Sequence, residues 1–197
     1  MARRADHTRT ELTELAIEAG IKLLEKEGLM NFSARKVAGE IGYTVGTLYN
    51  IFGSYDDLLL HINARTLDDW FSFMQKRLEK GKQKNQLHIL ARAYIDYSQA
   101  HYHLWIALFE HHTPDEYKLP DWYMEKMMQF FTLTEKLLLP LVQKNKREAR
   151  RAARVLWAGI HGICILSSSG KLGLVDSDSA ETLAISLIDN YLAGLAG

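Results

Sequence analysis

Residues 32–58 read FSARKVAGEIGYTVGTLYNIFGSYDDL, and the order of small, apolar and hydroxylic side chains in this stretch decides the fold. Ser33 is suited to cap a short helix running through Val37, Ala38 and Ile41, because its hydroxyl can accept the unpaired backbone N–H groups of a first turn. Thr44 is placed to do the same for a further short helix. Between them Gly42 supplies the positive φ of a tight turn. Ala38, four residues earlier, is small enough for the second helix to cross over the first. Val37, Ile41, Leu48 and Ile51 supply apolar pins. Two short helices crossing steeply over such a turn make a helix-turn-helix.

The side chains left over by that packing are polar and point away from it. Tyr43, Thr44, Val45, Thr47, Tyr49 and Asn50 project outward or along the flanks of the second helix, and Gly46 lets its backbone come close to a phosphate or a base edge. Hydroxyls of Thr44, Thr47 and Tyr49 suit phosphate oxygens, Asn50 can donate and accept at a base edge, and Val45 can touch a thymine methyl. The first helix of the pair offers Ser33, Arg35 and Lys36 to the backbone. Arg3 and Arg4 form a basic arm ahead of them.

Outward from this stretch the periods are helical throughout, so the expected class is all-α. An upstream helix at 8–27 carries Leu12, Leu15, Ala16, Ala19, Leu23 and Leu24 on one stripe and stops at Gly28, the usual residue just past a helix end. Downstream, Ser54 and Asp57 approximate a capping box for a long helix that reaches about Lys80. The polar run 81–86 reads as a connector. Helices follow at about 86–101, 103–111, 121–146, 148–169 and 179–195, with Pro114 and Pro120 bracketing a loop and Pro140 set to kink or split the 121–146 helix. Two divisions are expected: a three-helix DNA-binding head at 1–53 and a larger helical body at 54–197, the part to which the family resemblance of the quoted run assigns effector binding and dimerisation.

The quoted run resembles the DNA-binding signature of TetR/AcrR-type transcriptional repressors. The matching residues are Ala38, Gly42, Gly46-Thr47-Leu48-Tyr49, Phe52, and Ser54 through Leu58. The resemblance implies a homodimer in which each head reads half of a palindromic operator in double-stranded DNA. It further implies that a small molecule in the body loosens the grip. Two positions depart from the family pattern: Tyr55 stands where members often carry a phosphate-binding lysine, and Val45 where many carry a polar or basic residue. Tyr55 enters the DNA-binding set as a weaker hydroxyl substitute.

The resemblance also assigns the body its roles. Ala180, Leu183, Leu187, Ile188, Tyr191, Leu192 and Leu195 form one stripe, and Ala152, Leu156, Gly159, Ile163 and Leu166 another. These two C-terminal helices are the expected dimer face, with Ala158 and Gly162 allowing close approach. The alternative, packing within one chain, stays open. Trp157, His161 and Gly162 are similar to the W-H-G signature of one subgroup of TetR-type C-terminal domains; Trp157 and His161 share a helix face and belong to pocket, interface or core. Tyr94, Tyr97, His101, Trp105, Trp122, Met127, Phe131, Trp157 and His161 are the candidate effector-binding residues, since aromatic walls and flexible methionines suit an apolar or aromatic molecule.

Charge and composition set the limits. The chain has 197 residues, 24 Lys and Arg against 24 Asp and Glu, and one cysteine. A zero formal charge argues against a protein that coats nucleic acid indiscriminately. The stretch 1–55 is itself neutral, with seven basic and seven acidic residues, so its affinity has to come from placement and from doubling in a dimer. Cys164 alone makes neither a disulfide nor a zinc site. No apolar run reaches the ~18 residues of a membrane span, and a cytoplasmic location is expected. His111 and His112, near Glu110 and Asp115, could hold a surface metal; otherwise nothing calls for a metal, a cofactor or an enzyme. A helical protein-binding adaptor without sequence-specific DNA binding is the second reading.

Overall fold

A hydroxyl begins each helix of the quoted stretch. In the computed structural model, which describes residues 7–81, 85–113, 116–175 and 178–196, Ser33 caps α2 (Ala34–Glu40) by accepting from the Lys36 amide, and Thr44 caps α3 (Val45–Phe52) by accepting from the Thr47 amide. Upstream, Thr8 and Glu11 close a reciprocal capping box on α1 (Arg9–Glu27). Gly28 ends α1 at φ +73° and Gly42 turns the chain between α2 and α3 at φ +74°. Downstream, the Asp57 amide donates to Ser54 Oγ at 3.0 Å, capping α4 (Tyr55–Lys80). Arg3 and Arg4 lie outside the described residues, as do Pro114, Asp115 and part of the 81–86 connector.

The remaining helices are α5 (Gln86–Ala100), α6 (Tyr102–Glu110), α7 (Asp121–Leu138), α8 (Lys146–Ser168) and α9 (Ala180–Ala196). The seventh stops earlier than the 121–146 period suggests. Pro140 has no N–H to donate and clashes with a continuing helix, so the chain leaves the helix after Leu138. It passes through positive φ at Gln143 and Lys144, and restarts where Asn145 accepts the Arg147 and Glu148 amides. Among the described residues no helix is long and apolar enough to cross a membrane.

The chain folds into two compact units. The first takes residues 1–68 and 101–123, so that α1, α2, α3, the start of α4 and all of α6 share one core. Ala16, Leu24, Val37, Leu48, Leu58, Leu59 and Ile62 are buried there together with Leu104 and Ala107 of α6. Removing a leucine such as Leu48 from water stabilises by about 1.5–3 kcal/mol, which ties α3 to α1 and α4 despite its two turns. A Cβ on Gly20 would collide with the Ile62 side chain, so α1 and α4 approach closely there.

The second unit takes residues 69–100 and 124–197. In it α5, α8 and α9 pack on one another through Leu90, Ala91, Ala152, Leu156, Ala184 and Ile188, all buried. Gly159 is needed for this: a Cβ would overlap Leu187 of α9. Part of the small-residue stripe of α8 is therefore used inside the chain. Val155, Ala158 and Leu166 stay exposed on α8, and a Cβ on Gly162 would meet nothing within 4 Å.

Candidate nucleic-acid interface and aromatic cluster

Helix α3 divides cleanly between an inner and an outer face. Leu48 and Phe52 are buried, while Gly46, Tyr49 and Asn50 are exposed and Val45 and Thr47 lie at the margin. Tyr49 keeps 41% of its surface, and its backbone carbonyl accepts from the Gly53 amide at 2.8 Å while its hydroxyl faces outward. Thr44 and Thr47 share a hydrogen bond between hydroxyls at 2.9 Å, which orients both at the start of the helix. A Cβ on Gly46 would meet only Thr44 Oγ1, at an ordinary 3.7 Å; nothing among the described residues demands glycine there. Tyr43 is half-buried, with its hydroxyl 2.9 Å from His7 Nδ1.

The cations behave less uniformly. Arg35 is exposed on α2. Lys36 donates to Glu27 Oε2 at 2.6 Å and to the Asn31 carbonyl at 2.8 Å, and this donated hydrogen bond holds the Glu27 carboxyl below its usual range. Sequence spacing alone did not reveal that pairing, because Glu27 and Lys36 stand on different elements. Arg9 donates to the backbone carbonyl of Ile51 at 3.1 Å and so braces the end of α3. Tyr55 turns its ring inward, 6.0 Å from Phe32, and burial pushes its hydroxyl pKa up.

The α3–α4 junction is fastened from an unexpected side. Asp57 accepts from Ser54 Oγ on one carboxylate oxygen, at 2.7 Å, and from the Tyr117 hydroxyl on the other. Those bonds depress the Asp57 pKa, while burial and the same carboxylate push Tyr117 up to about 12. His111, its side chain 6% exposed, donates from Nε2 to Asp56 at 3.0 Å. His61, which donates from Nδ1 to the Asp57 carbonyl, lies between Phe52 and Trp122 with ring centroids 5.2 Å and 5.0 Å away.

Further along the first unit, His101 and His103 do not face different ways as two residues of one helix should. His101 precedes α6, so both rings reach Glu25, one at the carboxylate at 2.9 Å and the other at the backbone carbonyl at 2.8 Å. His112 bonds the Glu110 carbonyl. His111 is thus engaged with Asp56, Asp115 lies outside the described residues, and no group of three His, Cys, Asp or Glu side chains among the described residues could hold a metal ion.

Six of the nine candidate effector residues belong to the second unit, and five of them, all but Met127, join in one aromatic cluster. The Tyr94 hydroxyl lies 3.0 Å from His161 Nδ1, and His161 stacks on Trp157 at 5.6 Å and 27°. Phe131 packs edge-on against Trp157 at 5.5 Å, and the Arg154 guanidinium covers Phe131 at 5.3 Å while pairing with Glu135 at 3.0 Å. Trp70 continues the cluster, edge-on to Tyr94 at 4.7 Å and stacked on Tyr97 at 5.5 Å. Met127 is half-buried on α7. Burial lowers the His161 pKa, which favours the neutral ring. Trp157 remains 37% exposed. Trp70 was hidden from sequence reading inside the apolar stripe of α4, where nothing distinguishes a core residue from a pocket wall.

The other three candidates belong to the first unit. Trp105 is fully buried against Phe109, Trp122 sits beside His61, and His101 is on Glu25. Burial also pushes up the thiol pKa of Cys164, which disfavours the reactive thiolate.

Comparison with known proteins follows the same lines. Residues 16–62 match the model of bacterial regulatory proteins of the tetR family, and residues 87–191 match the tetracyclin repressor-like C-terminal domain. The HTH-type transcriptional regulator Rv0681 of Mycobacterium tuberculosis is 23% identical over 182 residues, covering 86% of this chain and 76% of its own. Among solved structures, a protein from Rhodococcus sp. RHA1 superposes over 100% of both chains with a TM-score of 0.76 and 21% identity. FadR of Thermus thermophilus, a TetR-family repressor solved with lauroyl-CoA, gives a TM-score of 0.64 at 16% identity over 90% of this chain and 91% of that one. The C-terminal match alone spans more than half of the chain, and with the helix-turn-helix built as described, this protein belongs to the TetR family of transcriptional regulators.

Proposed function

We propose that the chain is a ligand-responsive repressor that binds a palindromic operator as a homodimer and lets go when a small apolar or aromatic effector enters its body. The observation that carries the DNA-binding half is the division of α3. Its inner face is spent on the core, and its outer face presents Tyr49, Asn50 and the Thr44–Thr47 pair with an open backbone at Gly46. Arg35 and Ser33 flank it on α2. In this reading residues 1–53 are the head and 54–197 the body. The DNA target implies a cytoplasmic location.

The strip of exposed Val155, Ala158 and Leu166 with half-buried Gly162 on α8, next to α9, is the surface a second copy would cover. Two-fold pairing there sets two reading helices about 34–36 Å apart or somewhat more, one per major-groove half-site. For the effector, the cluster of Tyr94, Tyr97, Met127, Phe131, Trp157 and His161 offers ring faces, a neutral imidazole and a phenolic hydroxyl. Its guanidinium, Arg154, is already paired with Glu135. Such a lining favours an uncharged, flat or apolar molecule over a strong anion.

The deciding experiment is footprinting of the purified protein on the DNA upstream of its own coding sequence, with a salt series. A two-fold symmetric footprint and an affinity that falls with salt are expected. Absence of both would favour the protein-binding adaptor, a reading to which the neutral head and the internally paired Lys36 lend some support.

A further inference from the structure

The α3–α4 junction carries more fastening than two helices need. Gly53, at φ +97°, has its Cβ direction filled by Asp57 Oδ2 at 3.2 Å, so any other residue at the junction would be strained and would crowd Asp57. Ser54 already caps α4, its hydroxyl accepting the Asp57 amide and its carbonyl the Leu58 amide. A cap alone uses one oxygen of Asp57 and leaves the other to water. Here the second oxygen takes the Tyr117 hydroxyl, Asp56 takes His111, and the His61 ring bridges Phe52, the last residue of α3, to Trp122. Three contacts converge on the few residues that aim α3, and all come from residues far along the chain.

We propose that His111, Tyr117 and Trp122 are positioning residues that hold the reading helix α3 at its DNA-binding angle through Asp56, Asp57 and His61. The inference rests on the repressor reading given above. None of the three touches DNA. Their effect is preorganisation: a junction already fixed does not have to be ordered when the head docks, so the ordering cost is removed from the binding free energy. Charge-assisted bonds to a carboxylate are stronger than neutral ones, and burial of His111 keeps water from replacing its bond. Tyr117 is the most informative of the three, because deleting one oxygen breaks its contact and leaves its ring in place.

The test uses the full chain with Tyr117→Phe, Asp57→Asn and the double variant. Hydrogen exchange of the DNA-free protein is read over residues 49–58 against α8 as an internal reference. Tyr117→Phe is expected to speed exchange across 49–58 about tenfold, as loss of one charge-assisted bond implies, with α8 unchanged. Operator affinity is expected to fall about three- to tenfold, with binding to random duplex unchanged. In the Asp57→Asn background the same Tyr117→Phe change should add little, because its partner is already altered. Should Asp57→Asn fail to fold, His111→Ala and its rescue by His111→Gln, which restores a donor, replace that arm. Unaltered exchange over 49–58 overturns the proposal, as does an equal loss of operator and random-duplex binding. If the wild-type chain binds no duplex specifically, the repressor reading falls, and exchange separately decides whether the junction is held.

Discussion

Two glycines three residues apart should respond to the same substitution with opposite signs. Gly39 lies within α2 at ordinary helical φ, and a Cβ there meets nothing within 4 Å. Alanine should therefore add about 0.5–1 kcal/mol through helix propensity alone. Gly42 sits at φ +74°, again with nothing within 4 Å of a Cβ. An L side chain in the left-handed region costs about 1–2 kcal/mol, and here no steric contact adds to or hides that cost. The unfolded-state entropy change is the same for both variants and cancels in the comparison. Gly39→Ala and Gly42→Ala should then differ by the left-handed cost alone, about 1–2 kcal/mol, or about 2–8 °C in melting temperature for a chain of this size. Far-UV circular dichroism melts at matched protein concentration read the difference. Gly42→Asn should recover part of the loss, since asparagine tolerates that conformation. A Gly42→Ala protein that melts with or above Gly39→Ala would show that the turn between α2 and α3 is not built as described.

Tyr49→Phe should leave the melting temperature within about 2 °C, as expected of an exposed hydroxyl with no partner among the described residues. It should weaken operator binding about tenfold or more if each half-site loses one phosphate bond; unchanged affinity in a gel shift would remove Tyr49 from the interface. His161 supplies a pH signature. Its pKa is lowered by burial, so the unfolded chain binds the proton first. Stability is complete above the ordinary histidine range and falls as pH drops below about 6.5. His161→Gln should flatten that slope in urea titrations run from neutral to mildly acidic pH, and a slope of undiminished size would show that other groups carry it. Val155→Glu puts a charge on the exposed strip of α8. It should shift the protein toward monomer in analytical ultracentrifugation with the fold kept, whereas an unchanged mass would place any subunit contact elsewhere.

Most of the helix order was legible because each start carries its own chemistry. Ser33, Thr44 and Ser54 stand where the hydroxyl caps are observed, and Gly28 and Gly42 stand where positive φ is observed. These signals are local, so one sequence suffices to read them. The end of α7 was legible only in part: Pro140 announced a break but not the restart at Asn145, which depends on two residues entering positive φ without glycine. What could not be read was partnership across the chain. Glu27 with Lys36, Glu25 with His101 and His103, and Asp57 with Tyr117 involve ordinary surface residue types whose spacing carries no pattern. The aromatic cluster shows the same limit. Its rings were visible as composition, but Trp70 joins Tyr94 and Tyr97 only because α4 packs its second half against α5 in the second unit.

The even balance of charge in the head, with Lys36 turned back on Glu27, bears on how such a protein finds its target. Long-lived adhesion to arbitrary genomic DNA comes from surplus positive charge, and this head has little to spare. Its search should consist of brief encounters, not long one-dimensional sliding. On the repressor reading proposed above, the ratio between right and wrong sites would then rest on shape and hydroxyl placement, which added salt erodes less than it erodes a polycationic grip. A cell could keep few copies of it without losing many to the rest of the chromosome.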